Sequence, residues 1–140
     1  MFLLDTNVLS ELMRAKPFPE VVEWLDAQPV DHLYISAITR AEIELGIALL
    51  PEGRRRNTLG AAAQGMFLEF DGRCLPFDEQ AAVFYARLVA NRIAVGRPIS
   101  VEDAQIAAIA IVHSYSVVTR NSADFEAIDN LQTINPWLLK

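Results

Sequence analysis

Short apolar runs alternate with longer helical patterns along the whole of this 140-residue chain. Five such runs have the length and composition of strands: Phe2 to Leu4, Leu33 to Ile35, Cys74 to Phe77, Ser116 to Thr119 and Gln132 to Ile134. Strands that alternate with helices predict a parallel sheet with right-handed crossovers and helices on both faces. The sequence therefore predicts one α/β domain over residues 1–140, built on a five-stranded parallel sheet.

Helical periodicity fills the segments between the strands. The predicted helices start near Asn7 and cover Glu20 to Ala27, Ile38 to Leu50, Arg54 to Phe70, the segment from the N-cap Asp78 to Val95, and Val101 to Ser114. A short helical turn is predicted from Ala123 to Ile128. Pro51 and Gly96 mark helix ends, because proline cannot continue a helix and glycine readily takes the left-handed conformation of a helix end.

The apolar segments are too short to cross a membrane. The longest, Ile106 to Val112, falls far below the roughly 20 residues that span a bilayer. Cys74 is the only cysteine, so no intrachain disulfide is possible, and His32 and His113 have no partner at zinc-ligand spacing. We therefore expect a protein of the reducing cytoplasm with no membrane association.

The charge balance limits how the chain can contact nucleic acid. A net charge of −6 argues against a protein that coats nucleic acid by electrostatics alone, since phosphate neutralisation needs many cations. It leaves open an enzyme that acts on nucleic acid. The contiguous arginines at 54–56 are either a solvated helix end or a local patch that contacts phosphate.

Four acids stand where an apolar run gives way to a helical segment: Asp5, Glu42, Asp103 and Asp124. In α/β sheets, functional groups gather at the carboxyl ends of the strands. Like charges that are brought together there raise one another's pKa unless a cation neutralises them. The positions of these acids therefore suggest a metal site.

Two of the acids have a simple structural explanation. Asp5 could cap the helix that begins near Asn7, which is a common role for aspartate. Asp124 could favour the positive end of a helical turn whose N-cap is Asn121. Taken one at a time, both explanations remain open.

The other two acids complete capping-box spacings, Glu42 with Thr39 and Asp103 with Ser100. Their surroundings nevertheless predict burial. Asp103 opens a helix that is apolar on nearly every side, and such helices are buried. The apolar face that carries Glu42 is also predicted to be buried, and it consists of Ile38, Leu45 and Leu49.

A metal site explains all four positions together, whereas four separate caps would not need to meet at one edge of the sheet. The predicted ligands are all oxygen atoms, with no thiolate or paired imidazole among them. Oxygen ligands favour Mg²⁺, or Mn²⁺ as a substitute, over zinc or copper.

Several motifs in order carry a family resemblance: Leu3-Leu-Asp-Thr-Asn7, Ser36-Ala-Ile-Thr-Arg-Ala-Glu42, the block that starts at Asp103-Ala-Gln-Ile, Thr119-Arg-Asn-Ser-Ala-Asp124-Phe125, and Asn135-Pro-Trp137. The chain resembles the PIN-domain family over essentially its whole length, and within it the FitB-like VapC-type toxins of type II toxin–antitoxin systems. The resemblance implies a five-stranded parallel sheet, an acidic pocket for Mg²⁺ or Mn²⁺, endoribonuclease activity, a homodimer and restraint by a cognate antitoxin.

The resemblance also assigns roles to individual residues. Catalysis and metal binding are assigned to the acids Asp5, Glu42 and Asp103. The fourth position is taken by either Asp124 or Asn121, because many PIN domains place an aspartate where this chain has Asn121. Orientation of carboxylates or water is assigned to Thr6, Asn7 and Thr119.

The reaction implied is attack of a metal-activated water on an RNA phosphodiester, which leaves a 5′-phosphate and a 3′-hydroxyl. The sequence has no Gly-x-x-x-x-Gly-Lys phosphate loop and no Gly-x-Ser-x-Gly elbow, so other routes of nucleotide or ester hydrolysis are disfavoured. A different reading is that the chain acts mainly as a binding component of an antitoxin repressor complex, touching DNA only through the antitoxin.

Overall fold

The computed structural model describes residues 1–139. Its strands are β1 (Phe2–Leu4), β2 (Leu33–Ser36), β3 (Cys74–Leu75), β4 (Ser116–Val118) and β5 (Thr133–Ile134). Its α-helices are α1 (Thr6–Leu12), α2 (Pro19–Asp26), α3 (Ala37–Ala48), α4 (Arg54–Glu69), α5 (Glu79–Ala94) and α6 (Val101–His113). Two 3-10 turns, Val30–His32 and Ser122–Phe125, complete the elements.

The strands form one sheet in the order β3-β2-β1-β4-β5, and every neighbouring pair is parallel. Phe2 of the central strand β1 is in register with Leu33 of β2 and Ser116 of β4. The predicted five-stranded parallel sheet is confirmed. Because parallel strands end at the same edge, the residues that follow β1 and β4 are neighbours.

Helices cover both faces of the sheet, as predicted, and the central strand shows how. Leu3 and Leu4 are both fully buried, but they point to opposite faces because side chains alternate along a strand. Leu3 packs in a cluster with α6 residues such as Ile106, whereas Leu4 packs with α1, α2 and α4 residues such as Val21. The polar groups at the strand ends are therefore held between two apolar layers.

Strand β3 is shorter than the sequence predicted. Only Cys74 and Leu75 pair with β2, opposite Ile35 and Ser36, whereas the apolar run continues to Phe77. The next residue, Pro76, has no backbone N–H to donate to the ladder, so pairing stops there. The helical turn predicted to reach Ile128 also ends early, since the 3-10 turn closes at Phe125.

The predicted burial of one face of α3 is wrong for two of its three apolar residues, since only Ile38 packs against the core. Leu45 is 59% exposed and Leu49 is 75% exposed, while the buried residues of this helix are Thr39 and Ile43. The sheet and its neighbouring helices contact the Thr39 and Ile43 stripe, so the stripe with the leucines faces outward. Glu42 is consequently exposed rather than buried in an apolar face.

No helix in the described part of the chain has the length and apolar character needed to cross a bilayer.

Candidate functional site

A cavity of about 540 Å³ opens at the edge of the sheet where β1 and β4 end. Three of the four predicted acids line it, Asp5 after β1, Glu42 on α3 and Asp103 on α6. The remaining lining residues are Thr6, Asn7, Ser10, Glu11, Arg14, Arg120, Asn121 and Trp137. The structure thus brings together acids that lie far apart in the sequence.

Asp5 is the most deeply placed of these acids, with 5% of its surface exposed. Its Oδ1 accepts a hydrogen bond from the backbone N–H of Thr6 at 2.8 Å, so it caps α1 as one reading proposed. Its Oδ2 accepts from Thr119 Oγ1 at 2.8 Å and more weakly from Asn7 Nδ2 at 3.4 Å. Capping therefore does not exclude a place in the site, because the same carboxylate does both.

Burial raises the pKa of Asp5 to about 6, against an ordinary value of 3.8. The hydrogen bonds from Thr119 and Thr6 oppose this rise, and the negative charges of Asp103 and Glu42 add to it. At neutral pH, Asp5 is thus a carboxylate whose charge is poorly compensated by the protein. A cation in the cavity is the simplest way to compensate it.

Glu42 reaches the cavity from the exposed side of α3. Thr6 Oγ1 donates to Glu42 Oε1 at 2.7 Å and lies 3.1 Å from Thr39 Oγ1. The predicted capping box with Thr39 is not formed, because α3 begins one turn earlier and its cap is Ser36, whose Oγ accepts from Thr39 N at 3.1 Å. Glu42 is free of a capping role and is oriented by Thr6 instead.

Asp103 lies in the first turn of α6, where the helix dipole favours negative charge. Ser100 is the cap of this helix, and its Oγ accepts from Asp103 N at 3.1 Å. Partial burial raises the pKa of Asp103; the hydrogen bond with Ser100 opposes the rise, and the charge of Asp124 adds to it. This carboxylate is half-buried and faces the cavity.

The structure separates the two candidates for the fourth position. Asn121 lines the cavity, and its backbone N–H donates to Thr119 Oγ1 at 3.0 Å. Its side chain makes no capping hydrogen bond to the 3-10 turn that follows. Asp124 is exposed and does not line the cavity, although its charge is close enough to raise the pKa of Asp103.

Thr119 links the residues predicted to orient the acids. Its fully buried Oγ1 donates to Asp5 Oδ2 and accepts from Asn7 Nδ2 at 3.2 Å. Asn7 Oδ1 in turn accepts from the backbone N–H of Arg120 at 3.1 Å. The ends of β1 and β4 are therefore joined by side-chain hydrogen bonds that leave little freedom to Asp5.

Sequence reasoning missed a fourth acid at this cavity, Glu11, which is only 4% exposed. Its Oε2 accepts from Phe18 N and pairs with Arg14 Nη1, both at 3.0 Å. Burial alone favours a higher pKa, but these hydrogen bonds and the Arg14 charge lower the pKa of Glu11. A partial signal was the spacing of Asn7 and Glu11, which lie one turn apart on the same face of α1.

Arg120 and Trp137 were quoted in the motifs but not assigned to the site. The Arg120 guanidinium lies over the Trp137 ring, 5.4 Å from its centroid. The indole Nε1 is buried and has no hydrogen-bond partner among residues 1–139. An orphaned donor of this kind is rare, since most buried polar groups are paired.

The donors at the cavity fit a hard divalent cation, but they do not form a finished cage. Within residues 1–139, no three acidic, histidine or cysteine side chains converge closely enough to hold an ion by themselves. Mg²⁺ usually keeps several waters and binds through one or two carboxylates together with substrate phosphates. An open site with the buried Asp5 beside Asp103 and Glu42 is compatible with that mode of binding.

The fold and this cavity define a PIN domain. The family model described as PIN domain matches residues 2–131, and the chain belongs to this family. Among its relatives, VapC ribonuclease Y4jK of Sinorhizobium fredii is 45% identical, with 98% of each chain covered. Toxin FitB of Neisseria gonorrhoeae is 44% identical over 98% of this chain and 99% of that protein.

Solved structures support the same assignment. The FitAB complex bound to a DNA fragment contains a chain that superposes with a TM-score of 0.92 and is 44% identical. That match covers 100% of this chain and 98% of the other. The DNA-bound VapBC complex of Salmonella typhimurium is more distant, with a TM-score of 0.84, 26% identity and coverage of 96% and 97%. The family resemblance predicted from the sequence motifs is confirmed.

Proposed function

We propose that this chain is the toxin of a type II toxin–antitoxin pair and acts as a metal-dependent endoribonuclease. The observation that carries the proposal is the buried Asp5 carboxylate, which shares a cavity with Asp103 and Glu42 and has a pKa raised to about 6. Relatives that are 44–45% identical over almost the whole chain are named as a VapC ribonuclease and a toxin, which supports a nuclease.

The proposed cofactor is Mg²⁺, with Mn²⁺ as a substitute, because the donors at the cavity are oxygen atoms. Asp5 and Asp103 would hold the ion, and Glu42 would complete the acidic wall on the α3 side. Bound there, the ion would polarise a phosphodiester oxygen and lower the pKa of a water molecule. Asn121 also lines the cavity and would offer the ion a neutral side-chain oxygen.

The protein groups have separate tasks in this proposal. Thr119 and Thr6 hold the two oxygens of Asp5 in fixed directions through hydrogen bonds of 2.8 Å. One carboxylate of the acidic wall would accept the proton of the attacking water. In-line attack then breaks the bond from phosphorus to the 3′ oxygen and leaves a 5′-phosphate and a 3′-hydroxyl.

The proposed partner is a cognate antitoxin, and DNA contact is proposed only through that antitoxin. Solved relatives occur in FitAB and VapBC complexes that are bound to DNA. The net charge of −6 makes this chain a poor DNA ligand on its own but a suitable partner for a basic protein. A mainly non-catalytic role in such a complex is the second candidate, and it also agrees with these relatives.

Cleavage by the partner-free chain separates the two candidates. A structured RNA pool is incubated with the purified chain in Mg²⁺, in Mn²⁺ and with chelator, and Asp103→Asn is run in parallel. The matched control is Asp71→Asn, because Asp71 is an exposed acid that does not line the cavity.

The nuclease proposal expects metal-dependent cutting that is lost in Asp103→Asn and kept in Asp71→Asn. Equal inactivity of wild type and Asp103→Asn, in protein that demonstrably binds Mn²⁺, favours the non-catalytic role. Equal cutting by both variants would identify a contaminating nuclease.

A further inference from the structure

Arg120 is fixed by its backbone at the mouth of the cavity. It follows the buried Thr119 directly, and its N–H donates to Asn7 Oδ1 at 3.1 Å. Its carbonyl oxygen accepts from Asn135 Nδ2 at 3.0 Å. The Arg120 side chain is exposed, but its backbone is held by hydrogen bonds to α1 and to the C-terminal segment.

Trp137 is anchored by the same asparagine. Its backbone N–H donates to Asn135 Oδ1 at 3.0 Å, so the side-chain amide of Asn135 holds Trp137 through its oxygen and Arg120 through its nitrogen. The guanidinium lies over the indole ring at 5.4 Å from its centroid. Stacking of this kind limits the directions that an arginine side chain can take.

The Arg120 guanidinium makes no hydrogen bond and no ion pair with any residue in the 1–139 range. Arg14, the other arginine at the cavity, is committed to Glu11 through two hydrogen bonds of 3.0 and 3.1 Å. Arg92 is likewise committed to backbone carbonyls. Arg120 thus presents an oriented cation whose donors are available to a ligand.

The acids create a need for such a cation. A phosphodiester that enters the cavity meets the charges of Asp5, Glu42 and Asp103, and a single divalent ion does not balance all of them together with the phosphate. Arginine suits this task because its planar donor group matches two phosphate oxygens. Arg120 lines the same cavity as Asp5, Glu42 and Asp103, so its charge acts on the space that a bound phosphodiester would occupy.

We propose that Arg120, held in place by the Trp137 ring and Asn135, binds a phosphate of the RNA backbone next to the bond that is cut. This inference rests on the proposed nuclease function and names a substrate-binding residue for it. Trp137 acts as a positioning residue through Arg120. Its ring, rather than its N–H, is what the proposal needs.

The first test measures binding of a single-stranded RNA oligonucleotide by fluorescence anisotropy, in an Asp103→Asn background so that the RNA stays intact. Arg120→Ala should weaken binding by roughly tenfold and reduce the slope of log K against log salt by about 0.7, the value for one phosphate contact on a single strand. Arg120→Lys should keep the salt slope while losing part of the affinity.

The matched control is Arg87→Ala. Arg87 lies over the Phe84 ring at 5.9 Å, so it is also an arginine on an aromatic ring, but it does not line this cavity. Trp137→Leu should weaken binding about as much as Arg120→Lys, whereas Trp137→Phe should preserve it. A purely structural role of Trp137 would instead lower thermal stability without weakening RNA binding by the folded protein.

The second test uses cleavage in the otherwise wild-type chain. Arg120→Ala should raise KM for RNA about tenfold with a smaller change in kcat, because the contact is made in the bound substrate as well as in the transition state. If wild type cuts RNA and Arg120→Ala matches Arg87→Ala in KM and in salt slope, the inference is overturned while the nuclease function stands. If wild type does not cut RNA, the nuclease function fails, and the Arg120 contact is judged by the salt slope alone.

Discussion

Thr119 Oγ1 donates a 2.8 Å hydrogen bond to Asp5 Oδ2 and so ties the end of β4 to the end of β1. The two residues are 114 positions apart, and both are buried. The bond lowers the pKa of Asp5, whereas burial raises it, and burial has the larger effect. Thr119 therefore keeps Asp5 ionisable near neutral pH in a place where an isolated carboxylate would hold its proton more strongly.

Thr119→Val removes this donor while keeping the shape of the side chain. We expect a loss of about 1–3 kcal/mol in the free energy of unfolding, since three groups lose their partner on Oγ1. The pKa of Asp5 should rise further, so Mn²⁺ binding should require a higher pH. Denaturant titration and Mn²⁺ titration at several pH values measure both effects.

Thr58→Val is the control for that change, because Thr58 is exposed on α4 and contributes to a different cavity. It should leave stability and metal binding nearly unchanged. If Thr119→Val matches this control in the pH dependence of Mn²⁺ binding, the hydrogen bond does not tune Asp5.

Because the pKa of Asp5 is raised, we expect the metal-free protein to become less stable as the pH rises. In the range between 3.8 and about 6, the folded state binds more protons at Asp5 than the unfolded chain does. The stabilisation that Asp5 contributes is therefore fully present below pH 3.8 and is lost as the pH rises to about 6. This single group contributes roughly 3 kcal/mol over that range, since one pKa unit is about 1.36 kcal/mol.

Asp5→Asn isolates this contribution from those of the other acids. Its amide oxygen can still accept from Thr119 Oγ1 or from Thr6 N, so one of the two hydrogen bonds and the fold should be kept. The variant should be more stable than wild type above pH 6 in chelator, and the difference should vanish near pH 4. Added Mn²⁺ should stabilise wild type alone. A pH-independent difference between the two proteins would contradict the shifted pKa of Asp5.

Much of the site followed from the sequence because strand ends in a parallel sheet have fixed neighbours. Asp5 and Thr119 each come directly after an apolar strand, so a parallel arrangement of those strands was enough to bring them together. Asp103 was found for a related reason: its helix is apolar all round, and the start of a buried helix must lie close to the sheet.

The positions that were misjudged depend on helix rotation and on side-chain reach, which periodicity does not fix. Leu45 looked like a core residue, but the rotation of α3 is set by the Ser36 cap and by the buried Ile43. Glu11 was missed, because the chain after α1 folds back so that Phe18 N–H binds its carboxylate. Both outcomes depend on contacts with neighbouring segments, which helical periodicity alone does not fix.

Two substitutions test which residue takes the fourth position of the site. One adds a carboxylate at position 121, and the other removes the carboxylate at position 124. Asn121→Asp adds a charge to the cavity wall and should tighten Mn²⁺ binding several-fold, since Asn121 lines the cavity. Asp124→Asn should weaken Mn²⁺ binding much less than Asp103→Asn does, because Asp124 is exposed outside the lining. Calorimetric titration of the three variants gives the order. A loss in Asp124→Asn equal to that in Asp103→Asn would make Asp124 the fourth ligand.

The homodimer implied by the family resemblance stays a prediction, and α3 shows where to test it. Leu45 and Leu49 lie one turn apart on the same face of that helix, and they are 59% and 75% exposed. We expect the double change to glutamate at these positions to shift a dimer toward monomer, because the dimer would then bury four carboxylates, two from each copy, in place of apolar contacts. Sedimentation equilibrium measures the mass, with Leu68→Glu as the control, since Leu68 is 75% exposed on α4.

A wild-type monomer would refute the homodimer. A dimer that survives the α3 changes but is lost in the control would move the interface to α4.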